Sequence, residues 1–117
     1  MSAASSQRIL GRDPSTGRGI AITIEGGLIK AIEFVDHGEK QWLSAGFVDL
    51  QVNGYAGHDL NGLTLDITTV QALCQAMLKV GVTTFLPTII TAPEARLCAA
   101  LKAIREACGR YPEVAAM

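Results

Sequence analysis

The spacing of apolar residues divides the chain into a stretch of period two and a stretch of helical period. Ile20, Ile22 and Ile24 alternate with Ala21 and Thr23, which predicts a strand. Leu28-Ile-Lys-Ala-Ile-Glu-Phe34 predicts a second strand after Glu25-Gly26-Gly27. Two glycines between such runs signal a hairpin, because the tight turn that matches strand twist needs positive φ at its centre. Upstream, residues 1–8 are small and polar and are expected to fray. Arg8-Ile-Leu10 reads as a short strand, and Asp13-Pro-Ser-Thr-Gly17 as a turn by composition. Val35–Gln41 is a charged linker.

The run from Trp42 to Gly57 organises the remainder. Phe47, Asp49, Gln51 and Asn53 fall on one side of an extended strand, and Val48, Leu50 and Val52 on the other. This pattern predicts a buried parallel strand at about 46–53, with one face under helices and the other carrying amides to the strand's C-terminal mouth. The glycine-rich residues 54–62 then read as a loop. From Ile67 the period becomes helical: Ile67, Val70, Leu73, Cys74, Met77 and Leu78 form a buried stripe, Asp66 is the expected N-cap and Gly81 the stop. Val82-Thr-Thr-Phe-Leu86 is a short strand ended by Pro87. Thr91-Ala-Pro-Glu94 has capping-box spacing and a proline for the first turn of a second helix. Leu97, Leu101, Ile104 and Cys108 are its expected stripe and Gly109 its end. Val114–Met117 reads as the start of a third strand.

The order is hairpin, strand, helix, strand, helix, and each strand–helix–strand crossover implies parallel pairing. The fold class is α/β. At 117 residues the chain is too short for a complete (β/α)8 barrel of about 250. Two β/α units leave strand edges and apolar faces uncovered, so the chain is expected to be the front part of a longer protein or to assemble with something that supplies the missing strands.

Composition narrows the partners. Apolar residues make up 49% of the chain, which suits elements buried on more than one side. A net charge of −1 gives no electrostatic footprint for nucleic acid or an anionic membrane. No apolar run approaches the roughly 18 residues of a membrane span, and the polar start has no signal-peptide core. A soluble cytoplasmic protein is expected. Three cysteines without a Cys-x-x-Cys pair argue against a disulfide framework or structural zinc module, and Cys74 and Cys98 are expected to be buried packing residues.

Candidate chemistry gathers at the end of the strand at 46–53. Gln51 and Asn53 are two amides on its polar face: they either satisfy backbone groups of the following loop or line a ligand or metal site. Alone they would not hold a transition metal, because neutral amides are poor ligands beside His or carboxylate. Asp49, two residues deeper, is expected to be a structural acid that needs donors of its own. Gly54 and Gly57 are loop glycines or sites of close backbone approach to a ligand. His58 is the only histidine near the mouth, and His37 sits in the charged linker. The sequence holds no His-x-His, His-Glu-x-x-His, P-loop or nucleophile elbow, so it lacks a complete catalytic set.

The run Leu43-Ser-Ala-Gly-Phe-Val-Asp-Leu-Gln-Val-Asn-Gly54, with Gly57, Gly81-Val-Thr-Thr-Phe-Leu-Pro-Thr88 and Thr91, resembles the N-terminal part of the N-acetylglucosamine-6-phosphate deacetylase family, within the amidohydrolase superfamily. The resemblance implies an incomplete (β/α)8 amidohydrolase barrel, its first two β/α units at residues 42–117, preceded at 1–41 by part of a small β-sandwich domain. It implies hydrolysis of N-acetylglucosamine 6-phosphate to glucosamine 6-phosphate and acetate, with a divalent metal, commonly zinc, activating water. The family's metal ligands (a Glu after the third strand and two later His) and its catalytic Asp fall beyond Met117, so this chain alone is not expected to hold the metal. Gln51 and Asn53 carry over as one wall of the metal pocket, and Gly54 and Gly57 as its loop. Tyr55 and His58 depart from a loop that is richer in glycine in the family and take no role. The implied partners are an amino-sugar phosphate and a second copy of the chain, with no nucleic acid or membrane. The alternatives are a non-catalytic truncated product that self-associates through uncovered apolar faces, or another amidohydrolase acting on a cyclic amide or dipeptide. The Gln-x-Asn pair counts against the last, since those members usually keep His-x-His.

Overall fold

Three antiparallel strands follow from the two turns near the start of the chain. β1 (Ser6–Arg12), β2 (Gly19–Glu25) and β3 (Leu28–Phe34) pair in the order β1-β2-β3. The computed structural model describes residues 6–36 and 40–114, and the chain forms two compact units that divide between Ala45 and Gly46. His37, part of the charged linker, and Ala115–Met117 of the expected third strand lie outside the described residues, as do residues 1–5. Ser6–Arg8, expected to fray, are already in β1 because each pairs with β2.

The β1–β2 connection is a side-chain-capped turn. The Asp13 carboxylate accepts from the Ser15 N–H (3.0 Å) and the Thr16 hydroxyl (2.7 Å), while Gly17 N–H bonds the Asp13 carbonyl at 2.8 Å. Those donors, Thr16 first, hold the Asp13 carboxyl below its ordinary value. The β2–β3 turn has Gly26 and Gly27 at φ 58° and 77°, the two positive values that a two-residue hairpin loop needs.

β3 departs from strict alternation. Thr23 lies opposite Ala31 but Ile24 lies opposite Ile29, so Lys30 is an extra residue in a β-bulge. The bulge brings Ile29 into phase with Ile32 and Phe34, on the side of Ile20, Ile22 and Ile24. Unbroken alternation would have sent Ile29 to the other side from Ile32. The resulting isoleucine-rich face carries an apolar groove of about 460 Å³, with Ile29, Ile32 and Phe34 exposed. The Arg18 guanidinium lies 3.9 Å over the Phe34 ring.

The second unit is α/β. β4 (Phe47–Val52) and β7 (Val82–Pro87) are parallel neighbours joined through α1 (Ile67–Lys79), and α2 (Glu94–Arg110) follows. Asp66 caps α1 as expected, its carboxylate accepting from the Thr69 N–H at 2.8 Å. Gly81 ends it at φ 84°, its N–H bonded to the Leu78 carbonyl. Val114 makes a single parallel bridge to Phe85. Val52, Leu60, Val70, Leu73, Cys74, Met77, Phe85, Ala107 and Val114 form the core. None of the described helices is long and apolar enough to cross a membrane.

Several expectations give way here. The strand at 46–53 is not buried: Phe47, Val48 and Leu50 are 62, 58 and 72% exposed, and only Val52 is enclosed. A strand reading as apolar needs cover on both faces, and the described residues cover only its C-terminal end. Residues 54–62 are not a plain loop: β5 (Gly54–Tyr55) and β6 (His58–Asp59) make a small hairpin. Pro93, not Thr91, takes the N-cap of α2, with no side-chain cap, so the capping-box spacing is incidental. α2 runs through Gly109 to Arg110, because Tyr111 N–H still bonds the Ala107 carbonyl. Its buried stripe is Ala100, Ile104 and Ala107, with Leu101 exposed. Small alanines let this face approach closely, which apolar spacing alone does not weigh. Leu78 and Cys98 are exposed, not packing residues.

Candidate functional site

The C-terminal end of β4 feeds directly into the β5–β6 hairpin, and close backbone contact dictates its glycine. A Cβ on Gly54 would lie 2.6 Å from the His58 carbonyl oxygen and 2.9 Å from the Asp59 Cα, so no side chain fits. Gly57 answers a different need: Ala56 and Gly57 turn the hairpin at φ 51° and 86°, and a Cβ on Gly57 would touch nothing. Tyr55 and His58 face each other across this turn.

Asp49, Gln51, Asn53 and Gly54 line one groove of about 330 Å³ together with Met77, Val80 and Val82. The structure thus brings together the strand residues that the sequence singled out, while Gly57 and His58 lie outside this lining. Asp49 Oδ1 accepts the Gln51 N–H at 3.1 Å, a local use of the carboxylate. Neither the Gln51 nor the Asn53 side-chain amide is hydrogen-bonded to another described residue. They offer neutral donors and acceptors to the groove. Among the described residues no group of three or more His, Cys, Asp and Glu side chains could hold a metal ion, and two neutral amides with one carboxylate do not fit a transition metal.

The task of tying the loop down falls to Asn61, which the sequence reading passed over. Its Nδ2 donates to the carbonyls of Asn53 (3.3 Å) and Thr88 (3.1 Å), and its Oδ1 accepts the Ile90 N–H (2.7 Å). One side chain therefore joins the ends of two parallel strands. Arg96 adds a bond from its guanidinium to the Asn61 carbonyl at 2.9 Å. The only sequence signal was Asn61-Gly62, a turn dipeptide. At Val114's end of the unit, burial pushes the Cys74 thiol up to about 11, with the Glu113 charge adding to the rise. Glu113 Oε2 is itself enclosed without a partner.

The fold matches the crystal structure of N-acetylglucosamine-6-phosphate deacetylase from Pasteurella multocida with a TM-score of 0.67 and 34% identity. The match covers 82% of this chain and 27% of that one. The chain resembles N-acetylglucosamine-6-phosphate deacetylase. Deacetylase relatives agree: that of Haemophilus influenzae is 42% identical over 69 residues, covering 59% of this chain and 18% of its own. The deacetylase of Rattus norvegicus is 42% identical over 52 residues, covering 44% of this chain and 13% of its own. This chain therefore spans less than a fifth of the length of these deacetylase relatives. No protein-family model matches it.

Proposed function

We propose that the chain is the N-terminal portion of a metal-dependent deacetylase that hydrolyses N-acetylglucosamine 6-phosphate to glucosamine 6-phosphate and acetate, and that it does not turn over alone. The observation that carries this reading is the match over 82% of the chain at 34% identity to a deacetylase of that name, joined to the Gly46–Gly54 motif. In this reading residues 42–117 are the first two β/α units of a (β/α)8 barrel and residues 1–41 part of a β-sandwich domain. Gln51 and Asn53 are one wall of the metal pocket, Gly54 and Gly57 shape its loop, and Asp49 is a structural acid, consistent with its bond to the Gln51 N–H. The donors described in this groove do not fit a metal, and in this reading its ligands and the catalytic aspartate come from residues outside this sequence.

The test combines assay and sequence. The purified chain should release no acetate from N-acetylglucosamine 6-phosphate and should retain no stoichiometric zinc. Turnover, or zinc held tightly by these residues, would refute the division of labour. The DNA after the Met117 codon should encode a Glu-bearing strand and two later histidines. An immediate stop codon would favour a second reading, a non-catalytic product that self-associates, for which the exposed face of Ile29, Ile32 and Phe34 speaks.

A further inference from the structure

A small cavity of about 70 Å³ lies between the Asn61-Gly62 turn, the stretch that follows β7 and the start of α2. Leu60, Ile89, Ile90 and Ala100 give it an apolar wall, and Arg96 is the one charged side chain in its lining. That guanidinium is held in place without being used up. Its Nη2 donates to the carbonyls of Asn61 (2.9 Å) and Gly62 (3.3 Å), while Nε and Nη1 have no acceptor among the described residues. Its charge is unmatched as well, for Arg96 forms no ion pair with a described residue. Glu94, the acid in the same helical turn, lies outside the lining. Asp59, on the hairpin before the turn, already accepts the Asn61 N–H at 2.8 Å. Thr91 adds to the lining a hydroxyl that no described residue bonds.

We propose that this cavity is a binding site for a small oxyanion, a phosphate or carboxylate group, held by Arg96 and the Thr91 hydroxyl. The N–H donors left on Nε and Nη1 suit charge-assisted hydrogen bonds to such a group. The two carbonyl contacts already restrict the side chain, so binding loses less rotamer freedom than at a free surface arginine. An apolar wall lowers the local dielectric and strengthens the attraction. The volume admits a few waters or one compact anion, not a sugar ring. The site shares no residue with the groove of Gln51 and Asn53, so it stands or falls apart from the deacetylase reading.

The experiment titrates the isotope-labelled 117-residue chain with potassium phosphate and, separately, with potassium acetate. Potassium chloride at the same pH and ionic strength is the control. Backbone amide and arginine Nε–H signals are followed by nuclear magnetic resonance. Saturable shifts at Asn61, Gly62, Thr91 and Arg96 are expected with at least one of the two anions, and the anion that produces them names the oxyanion class. Arg96→Gln should weaken that binding about tenfold or more. Because this change also removes bonds to the Asn61-Gly62 turn, Thr91→Val is the second variant. It leaves the guanidinium contacts in place and should weaken binding about threefold. Binding unchanged in Arg96→Gln or, where that variant loses the fold, unchanged in Thr91→Val overturns the proposal. Shifts that rise without saturation, or that match the chloride control, overturn it as well.

Discussion

Replacing Asn61 by alanine should unlock the ends of β4 and β7. The three bonds of its side chain are not equal. The Asn53 carbonyl also accepts the Leu60 N–H at 2.9 Å, so it remains satisfied after the truncation. The Ile90 N–H is exposed and water can replace its partner, which limits that loss to about 0.5–1 kcal/mol. The Thr88 carbonyl is part-buried, and its loss adds about 1 kcal/mol. The sum is about 1.5–2 kcal/mol for a single amide, large for a residue outside the core. Urea titration should show it as a fall in midpoint of about 1.5–2 M, for a slope near 1 kcal/mol/M in so small a unit. Trp42 lies in the first unit, so the second is better followed through Tyr55 and Tyr111 or by helical circular dichroism. Asn61→Asp should be no better, since it keeps an acceptor for Ile90 but turns a carboxylate toward two carbonyls. A midpoint for Asn61→Ala within about 0.3 M of the parent would refute the reasoning.

Gly54→Ala should destabilise the second unit by about 2 kcal/mol or more, because backbone must shift to admit the methyl, whereas Gly57→Ala should cost about 1 kcal/mol of backbone strain. Thermal melts that rank the two in the opposite order would contradict the assignment of their roles. Asp66 hydrogen bonds, the Thr69 N–H first, lower its carboxyl from the ordinary value of 3.8. The cap's contribution is therefore present above the unfolded value and is lost as pH falls through the lowered one. Helicity compared between parent and Asp66→Ala should converge at low pH; a difference that persists there would argue against capping by the carboxylate. Iodoacetamide near pH 8 should label exposed Cys98 and spare Cys74, whose buried thiol lies about three units above that pH at about 11. Equal labelling of both in the folded chain would show that α1 opens readily.

Local chemistry made much of this fold legible. The Asp13 turn, the Gly26-Gly27 hairpin, the Asp66 cap and the Gly81 stop each depend on one or two side chains acting on adjacent backbone, and all stand as expected. Properties that depend on distant neighbours did not show. β4 reads as buried because its residues suit burial, but burial is supplied by whatever lies beside it. Leu101 looks like a core residue by spacing, and yields to Ala100 and Ala107 because close helix packing favours small residues. At the candidate site, period two correctly grouped Asp49, Gln51 and Asn53 on one groove. Asn61 escaped notice because its partners, Thr88 and Ile90, are brought to it only by the crossover through α1.

The extra residue in β3 has a consequence for how the strand tolerates changes of length. In an ordinary strand, losing one residue swaps the two faces of everything beyond it. Removing Lys30 would instead leave Ile29, Ile32 and Phe34 alternating without interruption, on the side they already occupy, and the ladder would become regular. The same deletion in β2, which has no spare residue, would turn its isoleucines away from their partners. The sheet thus holds one slot where a codon can be gained or lost without changing which side chains face together.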